Sequence, residues 1–238
     1  MFLHIHNNNL ISIRIVLDRS GSMSGSQKIT VQALNTYLTE LKKEKSLNAS
    51  LTLSTFDSFS IDIPISRVPI KKLDSFPTEI LKPRGGTPLF DAIGLAIHDL
   101  ENISESQEDN KVLVIVTDGF ENASREYTFE AISTKIKEKE EAGWLIIYLG
   151  ADHDAFKQSN SLNFNRERSM KYSKKDSVDT FRAVTRTTLD YSKEMKNKGI
   201  KFTEQERFYS DKPSVEKFED YFQADAHVKA YRKLEEEK

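Results

Sequence analysis

The chain contains no cysteine. That excludes a disulfide framework and any thiolate metal centre, and it permits a reducing compartment. No apolar run approaches the ~18 residues needed to cross a bilayer, so no membrane partner is expected. The opening Met1-Phe2-Leu3-His4-Ile5-His6 lacks the basic start, apolar stretch and small-residue cleavage site of a secretory leader. A cytoplasmic location is therefore the expectation. Formal net charge is only −2, which offers nucleic acid or an anionic membrane no electrostatic reason to bind. A Gly-x-x-x-x-Gly-Lys phosphate loop is absent, as are internal repeats and low-complexity tracts. What remains is ordinary: 37% hydrophobic and 30% charged residues in 238, enough for one large domain, alone or with an extension.

Apolar periodicity divides that length into alternating strands and helices. Leu10 to Leu17 is rich in Ile, Leu and Val and reads as a buried strand. A helix is expected from about Lys28 to Lys43, with Leu34, Tyr37, Leu38 and Leu41 on one face. Asn48 to Phe56 and Phe59 to Val68 alternate as a hairpin, and Pro64 sends the second strand to an edge. Lys71 to Lys82 reads as irregular. Pro83-Arg84-Gly85-Gly86-Thr87-Pro88 is a loop entering a helix, with Thr87 as its expected N-cap and Leu89, Ile93, Ala96, Ile97, Leu100 and Ile103 as its stripe. Lys111 to Thr117 is nearly unbroken hydrophobe, the mark of a central parallel strand. A helix over Tyr127 to Ala142, closed by Gly143, precedes a buried strand from Trp144 to Leu149. A short helix over Ala151 to Ser159, a last strand at Leu162 to Phe164 and a helix from Asp176 to Met195 complete the expected order.

This alternation predicts an α/β fold: a Rossmann-like, doubly wound, mostly parallel sheet with one antiparallel edge strand and helices on both faces. The expected division is an N-terminal extension over 1–9, a domain over 10–196, and a charged, aromatic-containing extension over 197–238. Within the last, Ser214 would cap a helix to about Glu236, and the segment is expected to pack on the domain or on a partner.

Chemistry concentrates where the strands end. Asp18, Ser20 and Ser22 are spaced i, i+2, i+4 after the first strand, so in extended backbone their oxygens converge. Asp118 follows the strand ending at Thr117, and Thr87 lies in the glycine-rich loop. In open α/β sheets ligands collect at the carboxyl ends of the strands. Two carboxylates and three hydroxyls form an all-oxygen set that suits Mg²⁺, which keeps several waters and leaves room for an incoming acidic oxygen.

Asp18-x-Ser20-x-Ser22, Gly86-Thr87-Pro88 and Thr117-Asp118-Gly119, in this order, resemble the metal-ion-dependent adhesion site of the von Willebrand factor type A domain family. The resemblance covers about Ile11 to Met195. Thr117 to Ser124, with Trp144 and Leu149-Gly150-Ala151-Asp152, is most similar to the intracellular bacterial and phage members. It implies a Rossmann-like fold and divalent-cation-dependent binding to a partner carboxylate. Asp18, Ser20, Ser22, Thr87 and Asp118 would be the metal residues, with Mg²⁺ as the ion and Mn²⁺ or Ca²⁺ as alternatives.

The functional expectation is thus a non-catalytic, Mg²⁺-dependent protein-interaction module whose partner offers an Asp or Glu. Two alternatives stand beside it. One is a Mg²⁺-dependent phosphoryl-transfer enzyme or phosphatase with Asp18 as nucleophile, although Ser20 stands where such phosphatases place a second acid. The other is a regulatory subunit of an ATPase-linked complex. Glu121, Asp152 and Asp154 either ring the site or are solvated loop acids, and Trp144 reads as core. His4 and His6 read as exposed imidazoles near a frayed end, and His98, His153 and His227 are isolated in sequence.

Overall fold

The computed structural model describes residues 10–102, 110–151, 161–173, 177–194, 199–204 and 206–207. Strand β1 (Ile11–Asp18) leads through a short 3-10 turn to helix α1 (Gln27–Lys43) and the hairpin β2 (Ala49–Phe56) and β3 (Ile61–Pro69). Then come α2 (Leu89–Asn102), β4 (Asn110–Thr117), α3 (Phe129–Glu141), β5 (Leu145–Gly150), β6 (Ser169–Lys171) and α4 (Val178–Glu194). Among the described residues the strands form one six-stranded sheet in the order β3-β2-β1-β4-β5-β6. All neighbours pair in parallel except β2 and β3, so the predicted mostly parallel sheet with one antiparallel edge strand is what the chain builds.

Strand alternation sorts the core into two layers. Ile11, Ile13, Ile15 and Leu17 of β1 join Val112, Val114 and Val116 of β4 beneath α1 and α4, where Leu34, Tyr37, Phe181 and Val184 cover them. On the other face Val16, Leu113 and Ile115 meet α2 and α3 through Ile93, Ile97, Ile132 and Ile136. Covered on both faces, β4 reads as nearly unbroken hydrophobe because neither face sees water, and β1 departs from that pattern at Ser12 and Arg14. The exceptions on β1 face α2, where buried Arg14 pairs with Asp99 at 2.9 Å.

Helix α3 begins on Thr128, whose hydroxyl accepts from Ala131 N at 3.3 Å. It ends at Gly143, which takes φ 95° while Trp144 N donates back to Lys139 O at 3.0 Å, a turn that needs a residue without Cβ. Trp144 then enters the core as expected, with the ammonium groups of Lys111 and Lys139 at 5.1 and 5.7 Å from its ring. Edge strand β3 is mostly exposed; Pro64 and two register irregularities against β2 blunt it as a pairing template.

The last strand differs from the sequence reading. Leu162 and Phe164 are buried, but Asn163 sits at φ 61° in the left-handed region, which breaks extended pairing there. Phe164 packs instead on Tyr148, ring centroids 4.8 Å apart, and the edge position goes to β6, three residues too short and mixed to announce themselves. Beyond α4, Ile200 and Phe202 are buried in the α1/α4 layer, and Arg186 pairs with Glu206 at 2.7 Å. That part of the segment after 196 therefore packs on the domain. Ile103, the helix expected beyond Ala151, Met195 and the helix expected from Ser214 lie outside the described residues.

Candidate metal centre

Strands β1 and β4 run side by side and end together, Leu17 opposite Val116. Asp18 and Thr117 are the next residues on each, on the same face. Thr117 Oγ1 donates to Asp18 Oδ2 at 2.6 Å, and Ser20 N donates to Asp18 Oδ1 at 2.6 Å. Asp18 is fully buried, and burial pushes its carboxyl up to about 6; those hydrogen bonds work against the rise and the charge of Asp118 adds to it. A 3-10 turn over Gly21–Met23 then swings Ser22 back, so that Ser20 Oγ and Ser22 Oγ lie 2.8 Å apart and Ser22 Oγ donates to Asp118 Oδ1. Asp18, Ser20, Thr87 and Asp118 are buried while Ser22 is exposed, so the cluster opens to solvent on the Ser22 side.

Arg19, inside the same pentapeptide, points the other way. Its guanidinium reaches Asp57 and Asp62 at 2.6 Å each, Thr55 Oγ1 at 3.0 Å and Ser60 Oγ at 2.7 Å. Arg84 adds a second guanidinium to Asp57 Oδ2 at 2.8 Å, and Arg84 N donates to Arg19 O at 2.9 Å. Burial works to raise Asp57, but the hydrogen bonds from Arg84, Phe59 N, Arg19 and Ser60 N outweigh it and hold the carboxyl below the usual range. This cluster ties the β1 turn, the β2–β3 hairpin and the loop before α2 into one frame.

The same frame positions Thr87. Gly21 N donates to Gly85 O at 3.0 Å, and Gly86 N donates to Ser58 Oγ at 2.9 Å. Asn122 grips Thr87 from the other side: its Oδ1 accepts Thr87 N at 2.8 Å, and its own N–H donates to Thr87 O at 3.1 Å. A Cβ on Gly86 would strike that Asn122 oxygen. A Cβ on Gly119 would collide with Thr87 Oγ1 and lie 3.2 Å from Asp18 Oδ2, so the glycine is what lets these two oxygens face a common point.

Thr87 is not the helix cap that its position before Pro88 led us to expect. Helix α2 starts at Leu89, and its first N–H groups are taken by the loop after β4: Phe90 N by Glu121 Oε2 at 2.9 Å and Asp91 N by Ser124 Oγ at 3.1 Å. Glu121 is therefore neither a solvated acid nor a rim of the site; it also accepts Ala123 N and Ser124 N at 2.8 Å each. Asp91 returns the connection, accepting Arg125 N, Glu126 N and Tyr127 N at 2.8–2.9 Å. Capping by the neighbouring loop leaves the Thr87 hydroxyl to the cluster. Asp152 and Asp154, with the remaining histidines except exposed His98, lie outside the described residues.

All five residues singled out from sequence thus gather at the ends of β1 and β4. The donor set is two carboxylates and three hydroxyls, without nitrogen or sulfur, which is the chemistry of a hard divalent cation. Among the described residues no group of three or more His, Cys, Asp or Glu is arranged to hold a metal. Any ion here would depend on the hydroxyls. The gap left by the missing Cβ of Gly119, between Thr87 Oγ1 and Asp18 Oδ2, fits that requirement. Glu121, Asn122 and Ser124 stand in the stretch the sequence singles out, but their bonds to the backbone of α2 and Thr87 have no signal in residue type alone.

No protein-family model matches the sequence, and no curated protein matches it either. Solved structures do resemble the fold. The vWF domain of the type V pili tip protein Mfa5 from Porphyromonas gingivalis superposes with TM-score 0.60 at 11% identity, over 82% of this chain and 97% of that one. The pilus adhesin SpaC from Lactobacillus rhamnosus GG gives 0.59 at 15% identity, over 77% of this chain and 30% of that one. Manganese-loaded TRAP protein from Plasmodium vivax gives 0.51 at 14% identity, over 75% of this chain and 74% of that one. The chain has the von Willebrand factor type A fold.

Proposed function

We propose that this chain is a non-catalytic, divalent-cation-dependent protein-interaction module. Asp18, Ser20, Ser22, Thr87 and Asp118 would hold Mg²⁺, with Mn²⁺ or Ca²⁺ as substitutes, and an Asp or Glu of a partner protein would complete the shell. The observation that carries the reading is the convergence of two buried carboxylates and three hydroxyls beside Gly119, open to solvent at Ser22. When bound, the ion supplies an electrophilic position for a carboxylate oxygen. The protein's own part is to hold the oxygens in place: Thr117 and Ser20 N orient Asp18, Ser22 orients Asp118, and Asn122 orients Thr87.

A manganese-loaded neighbour and a pilus adhesin among similar folds support a divalent ion and a binding role. Both Asp18 oxygens accept hydrogen bonds and the residue is fully buried, which speaks against its use as a phosphoryl nucleophile. We assign the module to residues 10–196 and to the cytoplasm. The bounds rest on the resemblance over Ile11 to Met195 and the change of composition from Asn197, and the location rests on the resemblance of Thr117 to Ser124, Trp144 and Leu149 to Asp152 to intracellular bacterial and phage members.

The test is capture of partner protein by the immobilised chain in MgCl₂, in EDTA, and with Asp118→Ala. Capture in MgCl₂ alone by the native chain supports the module. Capture that survives EDTA or Asp118→Ala overturns it, as does hydrolysis of aryl phosphates that disappears in Asp18→Asn.

A further inference from the structure

Among the described residues Phe59 and Phe120 are the most exposed large hydrophobic side chains, at 73% and 58%. Single exposed hydrophobes are ordinary. These two share a place. Phe59 follows β2 and Phe120 follows β4, the strands on either side of β1, and all three end at the same edge of the sheet. With parallel strands spaced about 4.8 Å, the ends of β2 and β4 stand roughly 10 Å apart with Asp18 between them.

Phe59 is also held in place. Its N–H donates to Asp57 Oδ1 at 2.7 Å, and the Arg84 guanidinium lies 5.4 Å from its ring centre. Arg84 is itself fixed by Asp57 Oδ2 at 2.8 Å and Ser60 Oγ at 3.1 Å. Gly85, at φ +65°, carries no Cβ; one placed there would come within 2.9 Å of the ring. The ring therefore rests on the backbone just before Thr87. An exposed aromatic side chain immobilised in this way adds nothing to the core, but it enters an interface with its ordering entropy already lost.

Charge narrows what can sit there. Arg19 and Arg84 are matched by Asp57 and Asp62, so the Phe59 side of the rim is neutral. Asp18 and Asp118 would be matched by a dication. With both sides balanced, no strongly charged partner surface is called for: the ion's open coordination position would take one carboxylate oxygen, and the exposed ground beside it is aromatic.

We infer that Phe59 and Phe120 flank the docking position of the partner's acidic residue, and that the partner presents this residue on a protruding protein loop between apolar side chains. This rests on the metal-site reading. Each aromatic gives the neighbours of the acid a surface to bury, and the pair sets the specificity that a lone carboxylate lacks.

A display library of constrained loops, each with a fixed central Asp and randomised flanks, tests it against the full chain in MgCl₂ with elution by EDTA. The expected result is enrichment of Leu, Ile, Met and aromatic residues next to the Asp. The selected loops should then bind Phe59→Ser/Phe120→Ser roughly tenfold more weakly, while titration with MnCl₂ alone shows unchanged ion affinity. Enrichment of charged or polar flanks, equal binding by the double variant, or no EDTA-eluted loop from a chain that binds Mn²⁺ overturns the inference and leaves the metal site standing. Failure of the native chain to bind Mn²⁺ or Mg²⁺ in the titration overturns the metal site itself.

Discussion

Asn122 brackets Thr87, accepting its N–H at 2.8 Å and donating to its carbonyl at 3.1 Å. The pair fixes the Thr87 backbone on both sides, so the hydroxyl is aimed without any bond of its own to Asn122. Asn122→Ala removes the side-chain half of the bracket. Mg²⁺ affinity measured by titration should fall roughly tenfold, the loss of about one hydrogen bond's worth of positioning. Asn122→Asp keeps the acceptor and should retain most of the affinity.

Gly119 makes a sharper case. A Cβ there occupies the approach between Thr87 Oγ1 and Asp18 Oδ2. Gly119→Ala should abolish ion binding in calorimetric titration, and MgCl₂ should no longer raise the melting temperature as it does when an ion binds only the folded state. A native-like Mg²⁺-dependent rise in this variant would place the ion elsewhere.

Two acids give the pH profile opposite signs. Asp18 is raised to about 6, so between about pH 4, where an unfolded carboxyl ionises, and pH 6 the folded chain holds a proton that the unfolded chain has lost. Stability of the metal-free protein should therefore fall as pH rises through that window, by up to roughly 3 kcal/mol. Asp57 is held below the ordinary range, so its contribution is present above about pH 4 and is lost as pH falls through its folded value. Melting curves in EDTA should show both slopes. Asp18→Asn or excess MgCl₂ should flatten the one between pH 4 and 6 and leave the acid-side loss intact.

Midway along β1, the Arg14–Asp99 pair tests the core. Arg14 is buried and Asp99 is one-third exposed. Asp99→Ala strands a buried guanidinium and should cost about 3 kcal/mol in denaturant unfolding. Arg14→Met returns Asp99 to water and replaces the pair by packing, so its cost should be markedly smaller.

How much of this was readable from residues follows from what each feature depends on. β4 and β5 are legible because burial on both faces demands nearly unbroken apolar runs, and β1 because its Ile and Leu outweigh Ser12 and Arg14. Asp18, Ser20, Ser22, Thr87 and Asp118 are legible as a spaced set at strand and loop ends. Their support is not. Glu121 and Ser124 cap α2, and Asn122 holds Thr87, through loop geometry that exists only once α2 and β4 lie side by side. Arg19, between Asp18 and Ser20, anchors the hairpin rather than the cluster, because successive residues leaving a strand face opposite ways. β6 was missed because Leu162 and Phe164 are more apolar than the three residues that pair.

The Asp18–Thr117 bond joins positions 99 apart in sequence, and the Ser22–Asp118 bond joins positions 96 apart. An unfolded chain would offer an ion only scattered oxygens, so the proposed ion site and the β1–β4 pairing would come into being together. On the proposed reading, ion occupancy would be a gauge of global folding. A core substitution far from the cluster, Ile97→Ala for instance, should weaken apparent Mg²⁺ affinity once the unfolded fraction becomes appreciable, and Mg²⁺ should in turn draw that fraction back.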